Sequence, residues 1–306
     1  TFGPGKKSII SAGTHVGMAA TSALEPVVLL YRLTGETRYL EFARYIVNSW
    51  DEEKGPKVLA TLLTEKSVQK TANGKAYEML SNLVGLCELA RATGERRYLQ
   101  AALNAWDDVV SKRLYITGSA SQHEHFHGDY ELPNQTSANM AETCVTTTWI
   151  QLNLQLLRMT GEARFGEQLE RTLYNHLAAA QRPDGAQWCY YTALEGKKPY
   201  GPGINCCVSS GPRGMALAPQ AGFIKLKVNG REALAANLFE SSRVTTTLAN
   251  EPITVEQRGE FPQRGLSTFT FKLGKPMAFE FMVRAPAWSS PLKLQVNGTT
   301  VRAGLR

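Results

Sequence analysis

Between residues 18 and 177 the apolar residues recur at intervals of three and four, the signature of amphipathic helices. Ala76, Met79, Leu80, Leu83, Leu86, Cys87 and Ala90 form one stripe, and Tyr98, Leu99, Ala102, Leu103, Trp106 and Val110 form the next. The same spacing runs through 152–159 and 165–177, and more loosely through 18–33. A phrase repeats between paired stripes: Arg32-Leu33-Thr34-Gly35-Glu36-Thr37-Arg38-Tyr39, then Arg91-Ala92-Thr93-Gly94-Glu95-Arg96-Arg97-Tyr98, then Arg158-Met159-Thr160-Gly161-Glu162-Ala163-Arg164-Phe165. Each copy reads as a tight turn between two helices. Arg suits the negative end of the first helix, Gly takes the left-handed position just past it, and Glu opens the second. Three helical hairpins in series, with a fourth expected to begin near Pro212, predict an α-solenoid or a closed α/α barrel. The short turns then share one end, and the long connections at 51–73, 113–138 and 182–211 share the other, so chemistry carried by those connections converges on one face.

From about Phe223 the period changes to two. Ile224–Val228, Arg243–Leu248, Thr268–Phe271, Ala278–Val283 and Leu292–Val296 alternate, and Asn229-Gly230 and Asn297-Gly298 are hairpin turn signals. The chain therefore divides into a helical catalytic domain over 1–220 and an antiparallel β-sandwich over 221–306. The fold class expected is mainly α with a C-terminal β part.

Composition narrows the function classes. The net charge of +7 is spread along the chain with no Lys/Arg-rich block, so no nucleic-acid partner is expected. No apolar run of about 20 residues is present, so no membrane-spanning helix is expected. Five cysteines, two of them adjacent, do not make a disulfide framework. The start at Thr1 without Met leaves the compartment open between cytoplasm and an exported form with its leader removed, and it suggests a chain that begins partway through a longer protein. Oligomeric state is not legible.

Three clusters on the long-connection face carry candidate chemistry. The first is Gln122-His123-Glu124-His125-Phe126-His127-Gly128-Asp129-Tyr130-Glu131. Three alternating His there are a candidate metal set, and a carbohydrate-contacting loop with one catalytic carboxylate is the stronger reading. The second is Glu142-Thr143-Cys144, and the third is Cys206-Cys207, whose first thiol lies 62 residues after Cys144. Three thiols and a carboxylate suit a four-coordinate zinc site. Residues 142 and 144 point about 200° apart on a helix, so they share an ion only before it or in its first turn. Cys206 and Cys207 require a kinked loop. Inert buried cysteines or a vicinal disulfide are the competing readings. His15, Lys75, Glu78, Trp188, Tyr190 and Tyr191 lie on the same face as candidate sugar contacts, whereas His176 reads as structural.

The Glu142-Thr143-Cys144 run, the Cys206-Cys207 pair, the Glu124-to-Asn134 segment and the Thr-Gly-Glu hairpins together resemble the zinc-dependent β-L-arabinofuranosidases of glycoside hydrolase family 127. That resemblance implies an (α/α)6 barrel, incomplete here at its N-terminus, followed by a β-sandwich. It implies a retaining hydrolase acting on a carbohydrate, with Glu142, Cys144, Cys206 and Cys207 as Zn2+ ligands, Cys206 as nucleophile and Glu124 as acid/base. Beside these, His15, Asp129, Tyr130 and Tyr191 are expected as substrate contacts from their place on the long-connection face. Two departures mark a divergent branch: an interval from Glu124 to Glu142 about two residues longer than usual, which leaves Glu131 or Asp129 as other holders of the acid/base role, and Val208-Ser209-Ser210 after the cysteine pair. A non-catalytic carbohydrate-binding scaffold with a structural zinc, and a metal-independent carboxylate enzyme on the same barrel, remain open beside it.

Overall fold

The structure is a computed structural model that describes residues 1–201, 203–289 and 292–302. Its helices are α1 (Met18–Thr21), α2 (Leu24–Thr34), α3 (Thr37–Ser49), α4 (Val58–Thr64), α5 (Ala76–Thr93), α6 (Arg96–Lys112), α7 (Thr143–Thr160), α8 (Ala163–Arg171), α9 (Ala178–Ala180) and α10 (Cys206–Gly222). A π-helical turn, Thr172–Leu177, joins α8 to α9. The chain divides into two compact units, Thr1–Thr160 with Gln168–Ala218, and Gly161–Glu167 with Pro219–Arg306. Among the described residues no helix is long and apolar enough to cross a membrane.

The repeated phrase folds as its chemistry predicts. Gly35, Gly94 and Gly161 sit at φ 73°, 76° and 73°, a region where any other residue is strained. The preceding Thr34, Thr93 and Thr160 hydroxyls each donate to the carbonyl four residues back, at 2.8–2.9 Å. Thr34 and Thr93 also accept the Glu36 and Glu95 backbone N–H. Arg38, Arg97 and Arg164 then pair with the Glu two residues before them and lie over the ring that follows, Tyr39, Tyr98 or Phe165, at 4.8–5.0 Å from its centroid. Such a cation–π contact contributes about 0.5–1 kcal/mol at an exposed site.

Within the first unit α2, α5 and α7 pack side by side, with α3 and α6 paired to α2 and α5. Helices α5 and α7 are buried nearly all round, α7 through Cys144, Val145, Trp149, Ile150, Leu152, Leu154, Leu156 and Leu157. Trp106 of α6 stacks on Trp149 at 6.2 Å and donates from Nε1 to Asn153 Oδ1 at 2.7 Å. Two small strands, β1 (Trp188–Cys189) and β2 (Tyr200–Gly201), pair antiparallel in the last long connection. The expected fourth helical hairpin near Pro212 does not form. One helix, α10, takes that stretch and runs directly into a strand at Phe223, because the period-two pattern begins where a partner helix would have to start.

In the second unit β3 (Phe223–Val228), β4 (Arg231–Ala236) and β8 (Glu280–Val283) form one sheet, with β4 and β8 parallel. β5 (Ser242–Leu248), β6 (Glu251–Gly259) and β7 (Ser267–Leu273) form a second, fully antiparallel one. Leu234 and Phe281 of the first sheet pack with Leu248, Ile253, Val255 and Phe269 of the second, so two apolar faces meet as a β-sandwich. β9 (Leu294–Val296) and β10 (Thr299–Val301) make a separate hairpin.

Candidate metal centre and active site

The site is assembled by hydrogen bonds at the ends of α7 and α10. Asn205 caps α10: its Oδ1 accepts from the Cys207 and Val208 backbone N–H at 2.9 and 3.1 Å, a cap contributing about 1 kcal/mol. Cys206 and Cys207 are therefore the first two residues of a regular helix, not a kinked loop. Both thiols still converge because the side chains of a first turn fan around the open helix end. Gly211 lets Trp188 lie flat on α10, since a Cβ there would fall 2.3 Å from the indole. Buried threonines of α7 hold the neighbours, Thr147 donating to Ser210 O at 2.9 Å and Thr143 to Cys189 O at 2.8 Å. Glu142 precedes α7 and Cys144 is in its first turn, as a shared ion requires.

Glu142, Cys144, Cys206 and Cys207 consequently bring their ligand atoms within 4.8 Å of one another and could hold a metal ion. Cys144 Sγ lies 3.5 Å from Cys207 Sγ, which is 3.9 Å from Cys206 Sγ, and Glu142 Oε1 lies 3.8 Å from Cys206 Sγ. Glu142 is buried and its Oε2 has no hydrogen-bond partner. Burial first, then Cys144 and Glu124, push its carboxyl up to about 9. The hydrogen bond from Cys207 pulls the Cys144 thiol down to about 6 against its burial, and Cys207 rises for the same reason. Four anionic donors crowded together resist simultaneous ionisation unless a cation sits among them. A buried carboxylate with Oε1 3.8 and 3.9 Å from two of the three sulfurs and Oε2 unpartnered fits that cation. Cys206 alone of the three thiols is exposed.

Beside this centre stands Glu124. Its Oε1 accepts from Tyr190 Oη at 2.6 Å and from Tyr191 Oη at 3.0 Å, and its Oε2 pairs with Lys75 Nζ. Burial opposes its ionisation, but Lys75 and the two tyrosine hydroxyls outweigh that and hold the carboxyl at about 2. The pairing is built into the backbone, since Ala76 N donates to Glu124 O at 2.9 Å and Phe126 N to Gly74 O at 2.8 Å. Tyr190 Oη also lies 3.6 Å from Cys206 Sγ, so one hydroxyl touches both the carboxylate and the exposed thiol.

The other sequence candidates separate clearly. Tyr191 belongs to the centre, its backbone bridged to Glu142. His15 lies on the same side, 3.8 Å from Glu78 Oε1 and edge-on to His125. Asp129 is instead held by Lys112 and Arg113, at 2.9 and 2.8 Å, which keep its carboxyl below the usual range, and Arg113 in turn grips buried Asp108. Lys112 and Arg113 thereby tie the loop to the end of α6. Tyr130 is exposed and bonds through its backbone to Lys112 O. The three histidines do not gather: His125 Nδ1 meets His123 O at 2.6 Å and His127 Nε2 meets Gln122 O at 2.7 Å, turning the rings onto backbone carbonyls. His176 is buried against the Thr117 hydroxyl and burial lowers it to about 4. Lys75 and Tyr190 are more central than sequence patterning indicates. The signal for Tyr190 is its place in an aromatic pair on a strand end facing the cysteines, and Lys75 carries none beyond its position at the start of α5.

Comparison with known proteins agrees in kind. The family profile described as Beta-L-arabinofuranosidase, GH127 catalytic domain matches residues 12–220, and that of the GH127 middle domain matches 233–305. The chain is 27% identical to the non-reducing end β-L-arabinofuranosidase of Bifidobacterium longum subsp. longum, an alignment covering 97% of this chain and 50% of that protein. A solved GH127 β-arabinofuranosidase superposes with a TM-score of 0.77 at 27% identity, covering 93% of this chain and 48% of that one. A GH127 β-L-arabinofuranosidase from Geobacillus stearothermophilus T6 shares the fold at 18% identity with a TM-score of 0.77, covering 94% and 53%. The chain spans about half the length of these relatives.

Proposed function

The chain belongs to the GH127 β-L-arabinofuranosidase family, and from that premise we propose that it carries the centre of a retaining glycoside hydrolase that releases L-arabinofuranose or a related pentose from plant-type glycans. One observation supports this most strongly. The single exposed thiol of the donor set and the carboxylate of Glu124 share the Tyr190 hydroxyl, which keeps Sγ and Oε1 within about 6 Å of each other. Retaining enzymes hold their two groups about 5–5.5 Å apart, and inverting ones about 6.5–9.5 Å.

The donor chemistry of three sulfurs and one carboxylate suits zinc, held by Glu142, Cys144, Cys206 and Cys207. Bound there, zinc would keep the thiols deprotonated at neutral pH. Cys206 Sγ attacks the anomeric carbon while the glycosidic C–O bond breaks and Glu124 gives its proton to the departing oxygen. Water then attacks the same carbon, Glu124 takes its proton, and Sγ leaves as thiolate. Two displacements at one carbon retain configuration. Glu142, lying among the ligands, is not free for proton transfer. Lys75 and the tyrosines favour the ionised Glu124 that the second step needs, and they oppose the protonated form the first step needs. The leaving oxygen must therefore replace part of this hydrogen bonding as it arrives.

The test is release of the aryl group from 4-nitrophenyl β-L-arabinofuranoside. Cys206→Ser and Glu124→Gln are each expected to lower kcat/KM by at least about 1,000-fold, the scale of losing a nucleophile or an acid/base group. Full activity in Cys206→Ser defeats the mechanism.

A further inference from the structure

One turn along α5 from Lys75, Glu78 faces the same side of the helix, as residues three apart do. Its Oε2 is buried with no hydrogen-bond partner, although the side chain as a whole is 14% exposed. Its Oε1 lies 3.8 Å from Nε2 of His15, too long for a hydrogen bond. His15 Nδ1 is 3.4 Å from Asn73 Nδ2, and its ring stands edge-on to His125, the residue after Glu124. The backbone beneath is strained: His15 and Val16 sit at φ 57° and 58°, a left-handed region that is most costly for a β-branched residue. Asn82, one turn further along α5, ties that segment down by donating from Nδ2 to Met18 O at 3.0 Å and to Glu78 O at 2.8 Å. A strained loop is thus fastened so that an imidazole and a carboxylate stand 3.8 Å apart without bonding each other, on the same helix face as Lys75, which pairs with Glu124.

We propose that Glu78 and His15 form a hydroxyl-recognition subsite for the sugar ring, with the partly exposed Glu78 carboxylate accepting a ring hydroxyl and His15 bonding its neighbour. This rests on the function proposed above and adds the residues that set sugar specificity. A carboxylate accepting from a hydroxyl makes a charge-assisted bond, roughly twice as strong as a neutral one. A site built around a substrate hydroxyl rejects the analogue lacking it, because its own buried acceptor is then left bare.

The experiment compares 4-nitrophenyl β-L-arabinofuranoside with its 2-, 3- and 5-deoxy analogues in the wild type, Glu78→Ala and His15→Ala, with a melting curve for each. The wild type is expected to disfavour at least one deoxy analogue by about 100-fold or more in kcat/KM. In Glu78→Ala that ratio falls to within a few-fold of one, mainly through a raised KM on the parent substrate, and His15→Ala moves it the same way. A residue of purely structural role would lower all four substrates together and leave the ratios alone, and that result overturns the subsite while leaving the hydrolase reading intact. If the wild type turns over none of them, the hydrolase reading fails. Calorimetric titration with L-arabinose then decides the subsite: binding weakened about tenfold in His15→Ala supports it, and equal or absent binding overturns it.

Discussion

Lys75 decides how Glu124 behaves, and the two belong to segments 49 residues apart that only backbone pairing brings together. Removing the ammonium in Lys75→Met takes away the strongest favourable partner of the Glu124 carboxylate, so its pKa rises from about 2 toward or beyond the ordinary carboxylate range. Because the first step of the proposed hydrolysis needs the protonated form, the basic limb of kcat/KM against pH is expected to move to higher pH in that variant. A limb that stays in place would show that another group supplies the proton. At this scale the sequence marked the four residues that the fold brings together, because Glu142, Cys144 and the adjacent cysteines are chemically unusual. Asp129 and Tyr130 look equally eligible in the linear sequence, yet Arg113 and Lys112 claim the first and solvent the second. Nothing in the local pattern records an ion pair made to the far end of a helix.

At the scale of elements, the helix start at Asn205 is the piece that orders the cysteine pair. Asn205→Ala is expected to cost about 1 kcal/mol of stability and to weaken metal binding, since both thiols then belong to a fraying turn. Thermal melting with and without metal checks it, and an unchanged affinity would mean the cap is not what orders the thiols. The Thr-Gly-Glu turns were legible because every group in them satisfies a local need: the left-handed glycine, the threonine back-bond, the Glu–Arg pair and the ring beneath it. The β-turns show where legibility ends. Asn229-Gly230 and Asn297-Gly298 announce themselves and adopt positive φ at both residues. The turn between β5 and β6 uses Ala249 and Asn250 in the same left-handed region, without the glycine that would have marked it. The start of α10 misled for a related reason, since adjacent ligands suggest a loop when the first turn of a capped helix serves as well.

For the molecule as a whole, metal and fold are expected to be linked, because an ion bound by the native donor set stabilises it by mass action. Chelation should therefore lower the melting temperature. The chelated protein should also lose stability as pH rises from about 4.3 to about 6, before the Cys144 thiol, held at about 6, begins to contribute the opposite slope. Glu142 titrates near 9 when folded, well above an unfolded glutamate at about 4.3. Across that window the native state binds the extra proton, so its advantage is full below the lower value and lost as pH climbs through the higher one. Glu142→Gln should flatten the dependence, and an equal slope in that variant would assign it elsewhere. Fold class was readable at this scale because helical and strand periods occupy separate stretches of chain, whereas the closeness of Glu124, Tyr190 and Cys206 depends on two distant connections folding onto one face. The central claim, a metal held by three cysteines with Cys206 as the exposed one, is tested most directly by native mass spectrometry of the reduced protein, with alkylation before and after chelation. The proposed function predicts one zinc per chain and protection of Cys144, Cys206 and Cys207 that chelation removes. A metal-free chain in which Cys206 and Cys207 are joined as a disulfide would contradict it.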